Sequence, residues 1–570
     1  MKLVIAEKPS VAISIAKVIG ANTKKDGYYE GNGYKVSWCI GHLIKMANPE
    51  NYDEKYKKWN IEDLPIIPTN YKYEVDKNTK KQFNILKNLM NNKEINTIIN
   101  ACDSGREGEL IFRLVYNQVG CKKNIKRLWI SSMEDIAIKN GFANLKNGSD
   151  YDNLFESARA RAIADWLVGI NISRLYSSLY KQNYSVGRVQ TPTLAMIVDR
   201  DNEILNFKKE KFYTLEIKTE DFTISTERID SLEIAEQLRN LLPKTIKINE
   251  IIEKEKITKP KKLYDLTTLQ REANKLYGYS AKQTLDYLQS LYEKKMVTYP
   301  RTDSKYLTED MKETIKNLIN KLDNNFSLDS NNYNSIFDNS KVSDHYAIIP
   351  TISSTEKDLL EIPESERKIY ELIKAKLLMA CSGNLIENTT KITYIYENYK
   401  FNANGKVVIE KGFTKYLKDL NKKEIAEPKL PKIKKDDIFN VLSVDIKENF
   451  TQPKKHFTED SLLKTMEITG NEVLKKDTEV ERKGLGTPAT RAGIIENLIY
   501  KGYVERDKKN LIATHKGVVL VTIVSDSFKS VKTTANWELK LSDIANGKLD
   551  KDEFIKAITD EIVETIDKYR

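Results

Sequence analysis

The stretch "INTIINACDSGREGELIFRLVYNQ", residues 95 to 118, decides the fold. An apolar run ends in Asp103, and from about Arg106 a helix follows with Leu110, Ile111, Leu114 and Val115 on one face. This is a buried strand feeding a helix, the unit from which open parallel sheets are built. The chain opens in the same way. "KLVIA" at 2 to 6 predicts a strand, and "PSVAISIAKVIG" predicts a helix with Ala12, Ile15, Ala16 and Ile19 at helical spacing and Gly20 as its stop. Both strands run into a carboxylate, Glu7 and Asp103. In such sheets ligands gather beyond the carboxyl ends of the strands. Glu7, Asp103 and Glu107 are therefore candidates to hold Mg²⁺, a hard cation that takes a few carboxylate oxygens and keeps several waters. A second reading has Asp103 capping the helix while Glu7 and Glu107 favour helix N-termini through the dipole, and spacing alone leaves both open.

With 570 residues, 40% of them hydrophobic, the chain has room for about four domains with real cores. Cys39, Cys102, Cys121 and Cys381 lie far apart without a CxxC pair. That argues against a disulfide framework and a thiolate zinc ribbon, and for a reducing, cytoplasmic setting. Neither "MKLVIAEKPS" nor the longest apolar run, "GVVLVTIV" near residue 520, is long enough to span a bilayer, so no export or membrane signal is expected. Lys plus Arg number 93 against 82 Asp plus Glu, a net charge of +11. This suits a polyanionic partner such as nucleic acid, although a biased codon pool yields the same balance. No GxxxxGK[ST] occurs, which argues against a P-loop nucleotide engine.

A second stretch carries candidate chemistry. In "KKMVTYPRTDS", 294 to 304, a short strand runs into a turn fixed by Pro300, and Tyr299 sits at its end beside Arg301. A free tyrosine, with a pKa of about 10, needs a nearby cation or base to become a nucleophile. Arginine matches phosphate bidentately and can hold non-bridging oxygens as charge builds in an in-line displacement. Tyr, Arg and Mg²⁺ together suggest phosphodiester transesterification. Position alone leaves room for a half-buried packing aromatic.

Seven motifs in order resemble those of the type IA DNA topoisomerases, most closely the bacterial topoisomerase III branch: "IAEKPS" at 5 to 10, "GHL" at 41 to 43, "CDSGREGEL" at 102 to 110, "SVGRVQTPTL" at 185 to 194, "TYPRTDS" at 298 to 304, "DHYAIIPT" at 344 to 351 and "GLGTPATRAGIIE" at 484 to 496. The resemblance covers nearly the whole chain. It implies an ATP-independent enzyme in which Tyr299 cleaves single-stranded DNA through a transient 5′-phosphotyrosyl link. Another strand passes through the opened gate before religation, relaxing negative supercoils or decatenating DNA. It further implies that Glu7 is a proton donor or metal ligand, Lys8 a cation at the scissile phosphate, Arg301 the group orienting it and His345 a supporting contact. Trp59, Trp166, Arg174 and the run Ser185, Val186, Gly187, Arg188, Val189 and Gln190 match DNA-side positions. For the run, a glycine permitting close backbone approach and a Thr-Pro helix start independently suit a phosphate cradle.

One departure matters: the family's common DxDxE reads Asp103, Ser104, Gly105, Arg106, Glu107, so the second aspartate is absent and a two-metal site is in doubt. A single Mg²⁺ on Glu7 and Asp103, with Glu107 as a further candidate ligand, is expected. The four histidines, 42, 345, 456 and 515, offer no close pair for a metal-dependent relaxase, and no cysteine after Cys381 supplies zinc ribbons of the topoisomerase I kind.

The expected architecture is multidomain, α/β plus α+β, closed into a toroid. It comprises a toprim-like acidic domain, 1–146; a helical single-strand DNA-binding domain, 147–208 with 456–570; β-rich gate arms, 209–258 with 352–455; and a helical tyrosine domain, 259–351, inserted between the arms. The charged, proline-bearing segments 251–262 and 418–437 suit linkers, and 323–340 an Asn/Ser-rich surface loop. Expected partners are single-stranded and underwound duplex DNA, with no membrane, a helicase left open, and a monomeric enzyme in the cytoplasm at nucleoid or plasmid DNA. Two other classes share parts of the pattern. A primase-like polymerase or nuclease would use the acidic edge without Tyr299, and a silent single-strand binding scaffold would need neither.

Overall fold

The computed structural model describes the chain except residues 131–132, 343–344, 355, 421–429 and 470–483. Asp344, which opens one motif, and part of the 418–437 linker lie outside the described residues.

The first unit is a seven-stranded sheet ordered Thr23–Lys25, Tyr28–Gly31, Tyr34–Trp38, Lys2–Ala6, Thr97–Ala101, Asn124–Arg127 and Lys146–Asn147. The four central pairing partners run parallel and the edges antiparallel. Parallel strands are covered on both faces, and side chains alternate between them. Leu3 and Ile5 accordingly pack with Leu86, Leu110 and Ile111 from the helices Lys80–Asn91 and Arg106–Val119. Val4 and Ala6 pack on the other side with Ala12 and Ile15 of the helix Pro9–Ile19. Gly20 ends that helix in the left-handed conformation at φ 81°, where glycine carries no Cβ penalty. The register Ala6 opposite Ala101 is the positional fact that matters, because it brings Glu7 and the 102–103 segment together at one sheet edge.

The helical unit draws on two distant parts of the chain. The helices Asp152–Tyr180 and Gln190–Leu205 share one buried cluster with Glu459–Ile468, Pro488–Tyr500, His515–Ile523, Val531–Ala545 and Lys551–Asp567. Between those parts lies a six-stranded sheet ordered Glu250–Thr258, Leu385–Tyr396, Tyr399–Glu410, Thr223–Thr226, Lys211–Lys218 and Ser443–Phe450, each neighbouring pair antiparallel. The outgoing and returning chain thus form a single sheet.

The tyrosine unit contains the helices Leu266–Tyr277, Ala281–Glu293 and Lys312–Leu322. The helix Glu364–Ala380, grouped by the sequence reading with a gate arm, packs here: Ile369, Leu372 and Ile373 share a buried cluster with Leu288 and Tyr299. Its apolar residues follow the helical period, and the arm's strands begin only at Leu385. The tyrosine unit also packs against the first sheet, where Val4 and Ala6 share a buried cluster with Leu288 and Tyr299.

Candidate active site

The strand ends and the tyrosine turn enclose one cavity of about 720 Å³, lined among others by Glu7, Lys8, His42, Asp103, Glu107, Tyr299, Arg301 and His345. Two segments of the tyrosine unit are zipped together to present the last three. Thr298 N–H donates to Ile349 O at 3.0 Å, and the Thr298 hydroxyl donates to Ala347 O at 3.0 Å. Tyr299 and His345 therefore stand side by side with ring centroids 4.0 Å apart, and Tyr292 meets Tyr299 edge-on at 5.5 Å.

The Tyr299 hydroxyl donates to Asp103 Oδ2 at 2.8 Å, crossing from one unit to the other. Burial, reinforced by the charge of Asp103, pushes the phenol well above its ordinary value, while Arg301 pulls the other way. In this closed state the phenol keeps its proton. Arg301 Nε is buried without a hydrogen-bond partner among the described residues, an unmet donor facing an acidic cavity. Burial lowers the Arg301 pKa, but Tyr299 and the acids Asp103, Glu7 and Glu107 outweigh it and keep the guanidinium charged.

Glu7 is buried and accepts the Asp103 N–H at 3.3 Å. Burial first, and the like charge of Asp103 second, raise its carboxyl to about 7. Two carboxyl groups crowded so closely suit a hard cation. Glu107, the third acid, is turned to His42, whose Nε2 lies 2.5 Å from its Oε1. Burial disfavours charge on His42, yet the bond to Glu107 prevails and raises its pKa, while Glu107 is lowered by that same bond. Among the described residues no three His, Cys, Asp or Glu side chains gather as a metal site. At position 105 a Cβ would meet nothing within 4 Å among the described residues.

Lys8, at the N-terminus of the helix Pro9–Ile19, approaches Glu293 of the tyrosine unit at 3.8 Å. His345 donates from Nε2 to the Ser104 carbonyl at 2.8 Å, and burial drops its pKa to about 4, so the ring is neutral.

Several supporting residues carried no local sequence signal. Arg127 is buried and donates to the carbonyls of Asn100, Cys102 and Asp103 at 3.1, 2.7 and 2.7 Å, with Glu109 at 3.2 Å as its counter-ion. It clamps the loop that carries Asp103. Gly108 is required by close approach, because a Cβ there would come within 2.0 Å of Asp103 O. Arg161 and Glu538 also line the cavity.

The expected DNA contacts divide. Trp59 is 45% exposed, lies 5.2 Å from the Arg174 guanidinium, and borders a second cavity of about 510 Å³ with Lys181, Gln182 and Asn183. Trp166 is half-buried between Tyr52 and Tyr71. Ser185 and Gln190 are tied to Lys501, and Val186 is buried. Val189 is partly buried, and Gly187 N–H donates to the Thr191 hydroxyl at 3.0 Å. Arg188 is buried in ion pairs with Asp165 at 2.9 Å and Glu538 at 2.8 Å.

Comparison with known proteins gives this geometry its class. A family model described as DNA topoisomerase matches residues 149–556, and a toprim domain model matches 2–133. The chain belongs to the type IA DNA topoisomerase family. Its relatives place it among the topoisomerase 3 homologues. "DNA topoisomerase 3" of Bacillus anthracis is 41% identical over 599 residues, covering 99% of this chain and 81% of that one. The Bacillus subtilis (strain 168) protein of the same name is 38% identical over 583 residues, 97% and 80% covered. Full-length topoisomerase I from Thermotoga maritima superposes with a TM-score of 0.77 at 25% identity, over 99% of this chain and 90% of that one, which fits the toroidal architecture. Among the described residues no helix is long and apolar enough to cross a membrane.

Proposed function

We propose that this topoisomerase cleaves a single DNA strand with Tyr299, and that the reading is carried by one observation: the Tyr299 hydroxyl 2.8 Å from Asp103 beside a buried, unpartnered Arg301 Nε. The phenol oxygen attacks the phosphorus, the P–O3′ bond breaks, and the 5′-phosphate remains on Tyr299. Asp103 Oδ2 is placed to accept the phenolic proton. Glu7, protonated up to about pH 7, is suited to give a proton to the departing 3′ oxygen. Arg301 and Lys8 hold the non-bridging oxygens as negative charge develops, and neutral His345 keeps the tyrosine ring against the Asp103 loop. Religation is the reverse, with no external energy source, because the phosphotyrosyl bond conserves that of the broken strand.

Asp103, with Glu107 at the rim and Glu7 whenever it is ionised, would hold Mg²⁺. When bound, it supplies positive charge that offsets the crowded carboxylates and the strand's phosphates.

The tyrosine unit is held to the rest of the ring by two chain passages through the six-stranded sheet, so it can swing from the acidic edge once the strand is cut, and a second strand then passes. The ring closes within one chain, which supports a monomeric enzyme. Its need for unpaired DNA makes an underwound duplex or a helicase-generated strand the natural substrate. Of the remaining expected DNA contacts, exposed Trp59 with Arg174 beside it suits the path of that strand, whereas Val186 and Arg188, both buried, suit support of it from behind.

The test is a denaturing gel of protein with end-labelled single-stranded oligonucleotide, with and without Mg²⁺, comparing wild type with Tyr299→Phe. The expected result is a covalent adduct lost in the variant and carrying the 5′-phosphate side of the break. Cleavage by the variant without an adduct would instead mark a nuclease using the acidic edge.

A further inference from the structure

The catalytic cavity has a cationic wall built around one acid. Glu538, on the helix Val531–Ala545, accepts from Arg188 Nη1 at 2.8 Å through Oε1 and from Arg106 Nη2 at 3.2 Å through Oε2. Arg161 lines the same cavity, with Asp165 at 3.7 Å, and Asp165 also takes Arg188 Nε at 2.9 Å. The helix is further pinned where the Thr534 hydroxyl donates to Arg188 O at 2.8 Å.

Three guanidinium groups gathered in a partly desolvated wall repel one another unless an anion stands among them. The carboxylates of Asp165 and Glu538 both stand there, and Glu538 is the one that reaches Arg106. Its two oxygens bridge Arg188 and Arg106 with one hydrogen bond to each, as two non-bridging oxygens of a phosphate could. The two partners differ in freedom: the Arg188 side chain is 3% exposed and held twice, whereas that of Arg106 is 16% exposed and held at the longer distance. Arg106 immediately precedes Glu107 and lines the cavity with it.

We propose that Glu538 is an internal counter-ion standing in for a DNA phosphodiester, and that a single strand entering the cavity takes Arg106 from it while Arg188 stays paired. This rests on the reading that a single strand occupies the cavity. Glu538 then has two effects: it keeps the cationic wall assembled before DNA arrives, and it competes with the strand for Arg106, weakening binding enough for release after religation.

The experiment measures affinity for a labelled single-stranded oligonucleotide over a range of salt concentrations, without Mg²⁺, for wild type, Glu538→Gln and Glu538→Asp. The glutamine variant retains a hydrogen-bond acceptor but loses the competing charge. It is expected to bind roughly threefold tighter or more at each salt concentration, with an unchanged slope of log affinity against log salt, because Arg106 meets the strand in both proteins. The aspartate variant keeps the charge and returns the affinity to that of wild type. A glutamine variant with an unchanged thermal midpoint whose binding is equal or weaker overturns the proposal. Should that variant not fold, Arg106→Gln reads the same contact from the other side: the slope falls by about 0.7 if Arg106 moves to a phosphate and stays unchanged if it remains on Glu538. Absence of the Tyr299 adduct in wild type would sink the proposed chemistry while the oligonucleotide affinities still reported on Glu538, and wild type failing to bind a single strand would overturn both.

Discussion

Replacing Glu7 with glutamine is expected to stabilise the metal-free protein at alkaline pH and to change little in acid. The Glu7 carboxyl is raised from 4.5 to about 7, by burial first and by Asp103 second. Below about pH 4.5 it is protonated in both folded and unfolded chains and contributes nothing to pH dependence. Between 4.5 and 7 the unfolded chain ionises while the folded one does not, and each pH unit costs the folded state about 1.4 kcal/mol. Above 7 the penalty is complete, at about 3 kcal/mol. Glutamine cannot ionise, keeps the shape and retains an oxygen for the Asp103 N–H. For a unit of this size, about 3 kcal/mol corresponds to a rise in thermal midpoint of roughly 6 to 10 °C. The assay is thermal denaturation in chelator at about pH 5 and about pH 8.5. Adding Mg²⁺ should shrink the difference at the higher pH, because a cation relieves the same charge crowding. A glutamine variant shifted by the same amount at both pH values would refute the argument, since the stored penalty would then not be electrostatic.

Three other perturbations follow from the geometry. Cysteines at 135 and 295, replacing an ion pair of 2.7 Å between the first sheet and the tyrosine unit, should allow crosslinking that leaves oligonucleotide cleavage intact but abolishes topology change; loss of cleavage as well would count against a gating role. Gly105→Asp should fold, because its Cβ meets nothing within 4 Å among the described residues, and should lower the Mg²⁺ concentration needed for half-maximal cleavage. An unchanged Mg²⁺ requirement would place residue 105 outside the metal's reach. Arg127→Ala should destabilise the first unit by roughly 2 to 4 kcal/mol in chemical denaturation, because the carbonyls of Asn100, Cys102 and Asp103 lose their donor and buried Glu109 keeps Arg113 as its cation but loses Arg127; a loss under about 1 kcal/mol would show that the clamp contributes little.

Local pattern made much of this protein legible. Alternation and helical spacing located the strand–helix units at residues 2 to 20 and 95 to 118, and strand direction alone put Glu7 and Asp103 at the same sheet edge. A proline-fixed turn put Tyr299 at the end of an element beside Arg301, and the ordered motifs named the family. These readings depend on neighbours a few residues apart, where backbone geometry is fixed by local sequence.

The choice of partners was settled only by tertiary structure. Glu107 turns to His42, 65 residues away, instead of joining Glu7 and Asp103. Arg188, which the sequence offers as a cradle for DNA, is buried against Glu538, 350 residues on, and Arg106 reaches the same acid across 432 residues. Arg127 shows no periodic signal because its role is to satisfy carbonyls exposed by the bend after the strand Thr97–Ala101, and Glu109 is there to balance its charge. The helix Glu364–Ala380 joins the tyrosine unit because its apolar face finds Leu288 and its neighbours there. The strength of an ion pair or a buried contact depends on which desolvated groups the fold brings within a few ångströms of one another, and sequence spacing carries no record of that.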